Sequence, residues 1–338
     1  MAHYLLTGAA GFIAARVAAM LIESGHTVTG VDNLNDAYDI RMKEYRLKQL
    51  LGCEGLRDGL EDGFRFHKLD IFDKQGLEEL YRNAASSPDS PPFDAVINLA
   101  ARAGVRQSVE NPWVYMDTNV TGTLNLLELS RLYRVPKFIL ASTSSVYGSD
   151  APLPTPEEAD SDRPLQAYAA SKKGAEVLCH AYHYLYGIDV TVFRYFTVYG
   201  PAGRPDMVMF RFTKWIHEGA PLKLNGDGEQ SRGFTYVDDI ARGTILGLKP
   251  LGYEIINLGG HESIKINELI QILEGMLGKK ATVENLPFHP ADMLANWADV
   301  DKAKRLLGWE PQVTLKDGIS NLVEWYIREQ EWASQIRT

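Results

Sequence analysis

Through roughly its first 195 residues the chain alternates short apolar runs with amphipathic stretches, the pattern of a parallel sheet flanked by helices. His3 to Thr7, Thr27 to Val31, Arg65 to Leu69, Ala95 to Ala100, Lys137 to Ser142 and Val190 to Tyr195 read as strands, with helices between them and no internal repeat. Two polar inserts interrupt this rhythm and are expected as surface loops: Gly52 to Gly63, and Asn83 to Pro92 with its Ser-Ser-Pro-Asp-Ser-Pro-Pro run. After Tyr199 the alternation stops at Gly200-Pro201-Ala202-Gly203-Arg204-Pro205, and shorter elements follow. A first region over 1–196 and a smaller second one over 197–338 are therefore expected. Phe234 to Val237 and Tyr253 to Leu258 still look like strands, so the chain is expected to return near 234–260 to the main sheet.

The turn after the first strand gives the sheet a purpose. Thr7-Gly8-Ala9-Ala10-Gly11-Phe12-Ile13-Ala14 leads into a helical stretch through about Glu23, so Gly8 and Gly11 sit where a pyrophosphate approaches a helix N-terminus. Ala14 takes the third small position, where helix and strand pack. Asp32 ends the second strand; its carboxylate suits a ribose 2'-hydroxyl and repels a 2'-phosphate, which favours NAD over NADP. Asp70 and Ile71 after the third strand, and Leu99, Ala100 and Ala101 after the fourth, lie at further carboxyl ends where the rest of a dinucleotide would run. Phe12, Ile13, Asn33, Asn119 and Tyr195 complete the expected cofactor contacts. The fold class is thus α/β: a Rossmann doubly wound parallel sheet with a smaller C-terminal α/β substrate domain.

Tyr168 and Lys172 are four apart in a helix predicted from about Gln166 to Tyr186, so they share a face and can act on one ligand. A free phenol titrates near about 10, and bringing it to about 7 takes roughly 4 kcal/mol, which an ammonium and a positive nicotinamide can jointly supply. Ala141-Ser142-Thr143-Ser144-Ser145-Val146-Tyr147-Gly148 places hydroxyls at the carboxyl end of the fifth strand, beside the ligand crevice of open α/β sheets. Thr143 can hydrogen-bond the reacting hydroxyl. Ser142 reads as an ordinary turn or capping residue.

These residues together resemble the extended short-chain dehydrogenase/reductase family, in its nucleotide-sugar branch, over essentially the whole chain. The resemblance implies a UDP- or dTDP-sugar in the smaller domain, tightly held NAD, and a homodimer through two long helices, here about Pro112 to Tyr133 and Gln166 to Tyr186. It also implies oxidation of a sugar carbon, usually C4, with Tyr168 taking the hydroxyl proton. Dehydratase and decarboxylase relatives place a carboxylic acid before the Val-Tyr-Gly; this chain has Ser144 and Ser145, so return of hydride to the other ketone face, an epimerisation, is the simplest outcome.

Arg194 to Met207 looks like the signature of epimerases acting on UDP-glucuronate more than that of neutral-sugar epimerases, which usually carry Asn where Thr197 stands. The resemblance implies that Thr143, Ser144, Ser145 and Thr197 donate to the C6 carboxylate, with Arg204 nearby and Arg106 a lesser candidate. A solvated loop cation or a pyrophosphate clamp stays open for Arg204. Arg232 matches the diphosphate contact, although Gly233 replaces the family's usual acid, and Asp292 matches the acid near the nucleotide ribose. Asn98 and Arg102 stand where relatives show His and Gln. A UDP-glucose or UDP-N-acetylglucosamine 4-epimerase and a non-catalytic NAD-binding scaffold are the alternatives.

Composition narrows the classes further. The net charge of -9 without a dense basic run argues against nucleic acid. Two cysteines, Cys53 and Cys179, without ligand or scaffold spacing fit a reduced cytoplasmic setting. The scattered histidines show no ligand spacing, so no metal is expected. The start of the chain shows no basic and apolar leader, and no run of about 18 apolar residues suggests a membrane span.

Overall fold

A computed structural model describes residues 1–51, 63–87, 90–260, 262–288 and 295–338. Six strands follow the apolar runs: β1 (His3–Thr7), β2 (Thr27–Asp32), β3 (Phe64–Lys68), β4 (Ala95–Asn98), β5 (Lys137–Thr143) and β6 (Asp189–Tyr195). Later come β7 (Thr197–Tyr199), β8 (Pro221–Asn225), β9 (Ser231–Tyr236), β10 (Tyr253–Leu258), β11 (Ser263–Lys265), β12 (Thr282–Leu286) and β13 (Ala295–Asn296). The main sheet has seven strands in the order β10-β6-β5-β4-β1-β2-β3, all parallel. Its central strands β4 and β5 are buried along their whole length because helices cover both faces. On one side Ala14, Val17 and Leu21 of the helix Phe12–Glu23 pack with Ile240 and Trp309. On the other, Leu126, Leu129 and Cys179 pack with Leu77 and Phe138.

Tyr253–Leu258 lies on the outer edge of this sheet beside β6. The strand containing Phe234 does not join it. β9 instead centres a second, four-stranded sheet with β7, β11 and β13. Strand propensity marks an extended segment without saying which edge it pairs with. A further pair, β8 and β12, and the helices Val208–Glu218, Ile266–Leu277 and Leu315–Arg328 bury Phe210, Trp215, Leu269, Trp325 and Tyr326 in a separate core.

Two expected elements differ in detail. The helix Lys74–Ala84 runs through Asn83 and Ala84, which were expected as loop, and most of the Gly52 to Gly63 insert lies outside the described residues. The helix expected from Pro112 to Tyr133 is divided into Trp113–Tyr115, a π-helical turn Met116–Thr121, and Gly122–Leu132. The wide turn carries Asn119, whose side chain binds neighbouring segments, a packing demand that periodicity cannot show. Among the described residues no helix is long and apolar enough to cross a membrane.

The helix Ala167–Tyr186 is pinned to the sheet by a buried ion pair. Arg194 of β6 donates through Nε and Nη2 to Glu176 at 3.0 and 2.7 Å, and Ser142 Oγ donates to the same carboxylate at 2.5 Å. Both charged side chains are 2% exposed. Removing one partner of such a pair strands the other charge, so Glu176→Ala should lower unfolding free energy by about 3–5 kcal/mol in urea titration. A loss below about 1 kcal/mol, the value of a solvated pair, would contradict this structural role.

Candidate active site

A cleft of about 750 Å³ opens at the carboxyl ends of the parallel strands and runs towards the second sheet. Its origin is the crossover between β1 and β4, adjacent strands from which the chain departs into different helical layers. There the glycine turn is forced. Gly8 has φ +70°, and a Cβ on it would lie 2.8 Å from Ala100 N; one on Gly11 would lie 2.7 Å from Gly8 O. Thr7 Oγ1 donates to Asn98 Oδ1 at 2.7 Å and accepts from Ala100 N at 3.2 Å, locking the two strand ends together. Asn98 also donates to Thr123 Oγ1 at 3.0 Å, so it serves this junction from within the core.

Phe12 and Ile13 line the near wall beside Gly8 and Gly11. Asp32 accepts from Ala10 N at 3.2 Å and Leu34 N at 2.8 Å, with Lys43 Nζ 3.4 Å away. Asn33 Nδ2 donates to Asp70 Oδ2 at 2.7 Å, and Ile71, Leu99, Ala100 and Ala101 continue the wall. These residues fit a dinucleotide: a Cβ-free turn for the pyrophosphate and a carboxylate at the end of β2 for a ribose. Asn119, expected as a cofactor contact, is engaged elsewhere. It lies behind the wall, its Oδ1 accepting from Arg102 N at 2.8 Å and its Nδ2 donating to Arg102 O at 3.0 Å and Ser171 Oγ at 2.9 Å. Tyr195 lines the cleft, while its hydroxyl is paired with Thr244 at 2.8 Å.

On the floor, Tyr168 and Lys172 stand on successive turns of the helix Ala167–Tyr186. Burial raises the Tyr168 phenol above its ordinary value, opposed by its hydrogen bond with Thr143 and by the Arg204 charge. Lys172 is tied to the end of β5. Its Nζ donates to Ala141 O at 2.7 Å, and burial pulls its pKa down to about 8 against the countering charge of Glu176 one turn later. The charge that opposes the rise of the Tyr168 phenol is that of Arg204. Thr143 caps a short helical turn by accepting from Ser145 N at 3.2 Å and donates to Ser145 Oγ at 3.3 Å. Ser144 Oγ accepts from Asn296 at 3.1 Å. Ser142, expected as a capping residue, is instead spent on Glu176.

Thr197 begins β7 on the side of the cleft facing β9. Arg204 also lines it, but Asp206 engages its Nε at 3.1 Å and its Nη2 at 2.6 Å, so the cation arrives partly neutralised. Arg106 lies beside Asn225, and Arg232 of β9 donates to its own Ser231 O at 2.8 Å; both line the far end. Gly233 has a packing reason, because a Cβ there would meet Gly260 O and Trp297 Cβ, each at 2.8 Å. Asp292 lies outside the described residues.

Sequence reasoning missed Arg211. It lines the same wall, has a buried Nε without a hydrogen-bond partner, and is held below the ordinary arginine range by burial and by Arg106. Its signal was faint: an arginine in the apolar first turns of the helix Val208–Glu218, one of many charged helix positions. Lys43, on the helix Arg41–Leu50, was passed over for the same reason.

Fold and site define a dinucleotide-dependent enzyme of the extended short-chain dehydrogenase/reductase class. The model of the NAD dependent epimerase/dehydratase family matches residues 4–259, and the chain belongs to that family. It is 55% identical over 338 residues to a UDP-glucuronate 4-epimerase of Thermodesulfobacterium geofontis (strain OPF15), covering all of both chains. It superposes with TM-score 0.87 and 35% identity on a UDP-glucuronic acid 4-epimerase from Bacillus cereus in complex with UDP-glucuronic acid and NAD, covering 97% of this chain and 99% of that one. A UDP-glucose 4-epimerase from Thermotoga maritima with UDP-glucose gives TM-score 0.85 and 32% identity over 97% of this chain and 99% of that one.

Two outcomes follow from the site. Installing the family's acid by Gly233→Asp should cost about 1–3 kcal/mol in thermal or urea unfolding, because the space is filled by backbone. The Lys172 ammonium is present below its pKa of about 8 and lost above it. The pH profile of kcat/KM should therefore fall on the alkaline side near that value, and Lys172→Arg, which stays charged, should move the fall to higher pH.

Proposed function

We propose that this chain is a UDP-glucuronate 4-epimerase, interconverting UDP-glucuronate and UDP-galacturonate through a 4-keto sugar. The observation that carries the reading is the floor of the cleft, where Tyr168 meets Thr143 and Arg204 while serines occupy positions 144 and 145. Among the described lining residues the carboxylates are Asp32, Asp70 and Asp206. The first two belong to the cofactor end and the third is paired with Arg204, so among the described residues no acid stands ready to expel water. Full-length similarity to the Thermodesulfobacterium epimerase supports the same substrate.

NAD, when bound between Gly8, Gly11, Asp32 and Lys172, supplies the acceptor that takes a hydride from C4 and returns it. The chain supplies the rest. Tyr168 accepts and returns the C4 hydroxyl proton, Thr143 orients it, and the ammonium of Lys172 is fixed by Ala141 O beside the cofactor end. Burial raises the phenol above its ordinary value, and the hydrogen bond with Thr143 and the charge of Arg204 oppose that rise. Thr143, Ser144, Ser145 and Thr197 meet the C6 carboxylate with Arg204 beside them. Arg106, Arg211 and Arg232 gather at the far end, where a diphosphate would lie.

A 4-keto glucuronate is a β-keto acid and loses carbon dioxide when its carboxylate bond stands perpendicular to the carbonyl plane. Hydroxyl donors that hold the carboxylate near the ring plane restrain that loss. The Arg204–Asp206 pair favours a second reading, because a neutralised cation also suits an uncharged C6 group, as in a UDP-glucose 4-epimerase.

We assign residues 1–196 to cofactor binding and 197–338 to the nucleotide sugar, with β10 returned to the first sheet, and place the protein in the cytoplasm. The helices Gly122–Leu132 and Ala167–Tyr186 present Leu124, Leu132, Val177 and Leu185 to solvent, with Tyr184 79% exposed. So much apolar surface on one pair of helices fits a homodimer.

Purified protein given UDP-glucuronate without added NAD should yield UDP-galacturonate by NMR. A UDP-pentose product, or turnover of UDP-glucose in preference, would defeat the assignment. Tyr168→Phe should abolish turnover and leave NAD bound.

A further inference from the structure

Arg46 takes no part in the chemistry above, yet it is 4% exposed in the seam between the two ligand-holding loops. It projects from the helix Arg41–Leu50, whose Met42 and Tyr45 pack into the core of the second region. Nε and Nη2 donate to Ala202 O at 3.0 and 2.7 Å, and Nη2 reaches Gly203 O at 3.4 Å. Nη1 donates to Ala10 O at 3.1 Å and to the Tyr38 hydroxyl at 2.7 Å. Ala10 lies inside the glycine turn; Ala202 and Gly203 immediately precede Arg204.

Every one of these partners is a backbone carbonyl or a phenol, so attraction to a carboxylate is not what draws the guanidinium inside. Its carbon stands 5.8 Å from the Phe12 ring centre and 5.5 Å from that of Tyr38. Phe12 also fills the space beside Gly203, where a Cβ would lie 3.7 Å from its ring. On the receiving side, Ala202 is held at φ +53°, a left-handed conformation that a residue with a Cβ rarely adopts and that persists only when its surroundings impose it. Two donors to its carbonyl impose it here. A planar fork with donors on two edges can span carbonyls of two loops; a lysine ammonium, a single point on a flexible stem, cannot hold both in the same geometry.

We propose that Arg46 is a positioning residue that sets the Arg204 loop in register with the cofactor turn, so that the sugar's C6 end and the nicotinamide end of the cleft share one frame. This rests on the reading that Arg204 and its hydroxyl neighbours meet the substrate carboxylate. The bridge fixes Arg204 relative to Tyr168 without touching either ligand.

The test compares wild type, Arg46→Lys and Arg46→Met, each checked for a cooperative melt. Both variants should bind UDP as wild type does, since the bridge's hydrogen bonds run to Ala10, Tyr38, Ala202 and Gly203 and not to the arginines of the far end. The KM for UDP-glucuronate should rise, kcat/KM should fall by roughly 10- to 100-fold as for a misplacement of about 1 Å, and UDP-pentose should appear as a larger share of product. Lysine should not rescue. Wild-type kcat/KM and product ratio in both variants, recovery by lysine, or an equal loss of UDP affinity would each overturn the proposal; should Arg46→Met not fold, Arg46→Lys decides. An inert wild type defeats the reading of the carboxylate site and this inference with it, whereas an active wild type with unchanged variants defeats this inference alone.

Discussion

The close approach of Gly8 to the backbone of Leu99 and Ala100 is the constraint on which the cleft depends. β1 and β4 are neighbours in the sheet, and the chain leaves them for different helical layers, so their ends bound a crevice. A side chain at Gly8 would collide with the backbone of Leu99 and Ala100 and force the strand ends apart. Thr7 and Asn98 hold those ends at hydrogen-bond distance from beneath. With the crevice fixed, the carboxyl end of β5 brings Thr143 to its floor, and the helix Ala167–Tyr186 brings Tyr168 and Lys172.

Electrostatics in that crevice is a contest between burial and charge. Desolvation drives the Tyr168 phenol up and the Lys172 ammonium down, so both are pushed towards neutrality. Glu176 counters this for the lysine from the next helical turn, and it can be buried there because Arg194 and Ser142 satisfy its oxygens. Arg204 counters it for the tyrosine from the opposite loop. The charges that counter burial at Tyr168 and Lys172 thus come from distant parts of the chain, and loop register matters as much as residue identity.

What could be read from the sequence was local. The strand runs, the glycine turn with its acid at the end of β2, the Tyr168–Lys172 spacing and the hydroxyls after β5 are each written within a few residues, and all of those groups lie along one cleft. What could not be read depends on packing between segments far apart. Arg46, Arg211 and Lys43 look like solvated positions on amphipathic helices, and only the seam between the two regions buries or aims them. The strand at Phe234 was visible as a strand but not as the centre of a second sheet. The same holds for Asn119, whose π-helical turn brings it to Arg102 and Ser171. Gly233 looked like a defect against the family pattern until Gly260 and Trp297 were found occupying the space an acid would need.

The central claim is that one cleft removes hydrogen from C4 of the sugar, keeps it out of water, and gives it back to the opposite face. UDP-glucuronate carrying deuterium at C4, incubated with the purified protein in ordinary water and followed by mass spectrometry and NMR, tests this directly. The account predicts UDP-galacturonate with the deuterium still at C4. Product in which that deuterium has been replaced by solvent hydrogen would contradict it.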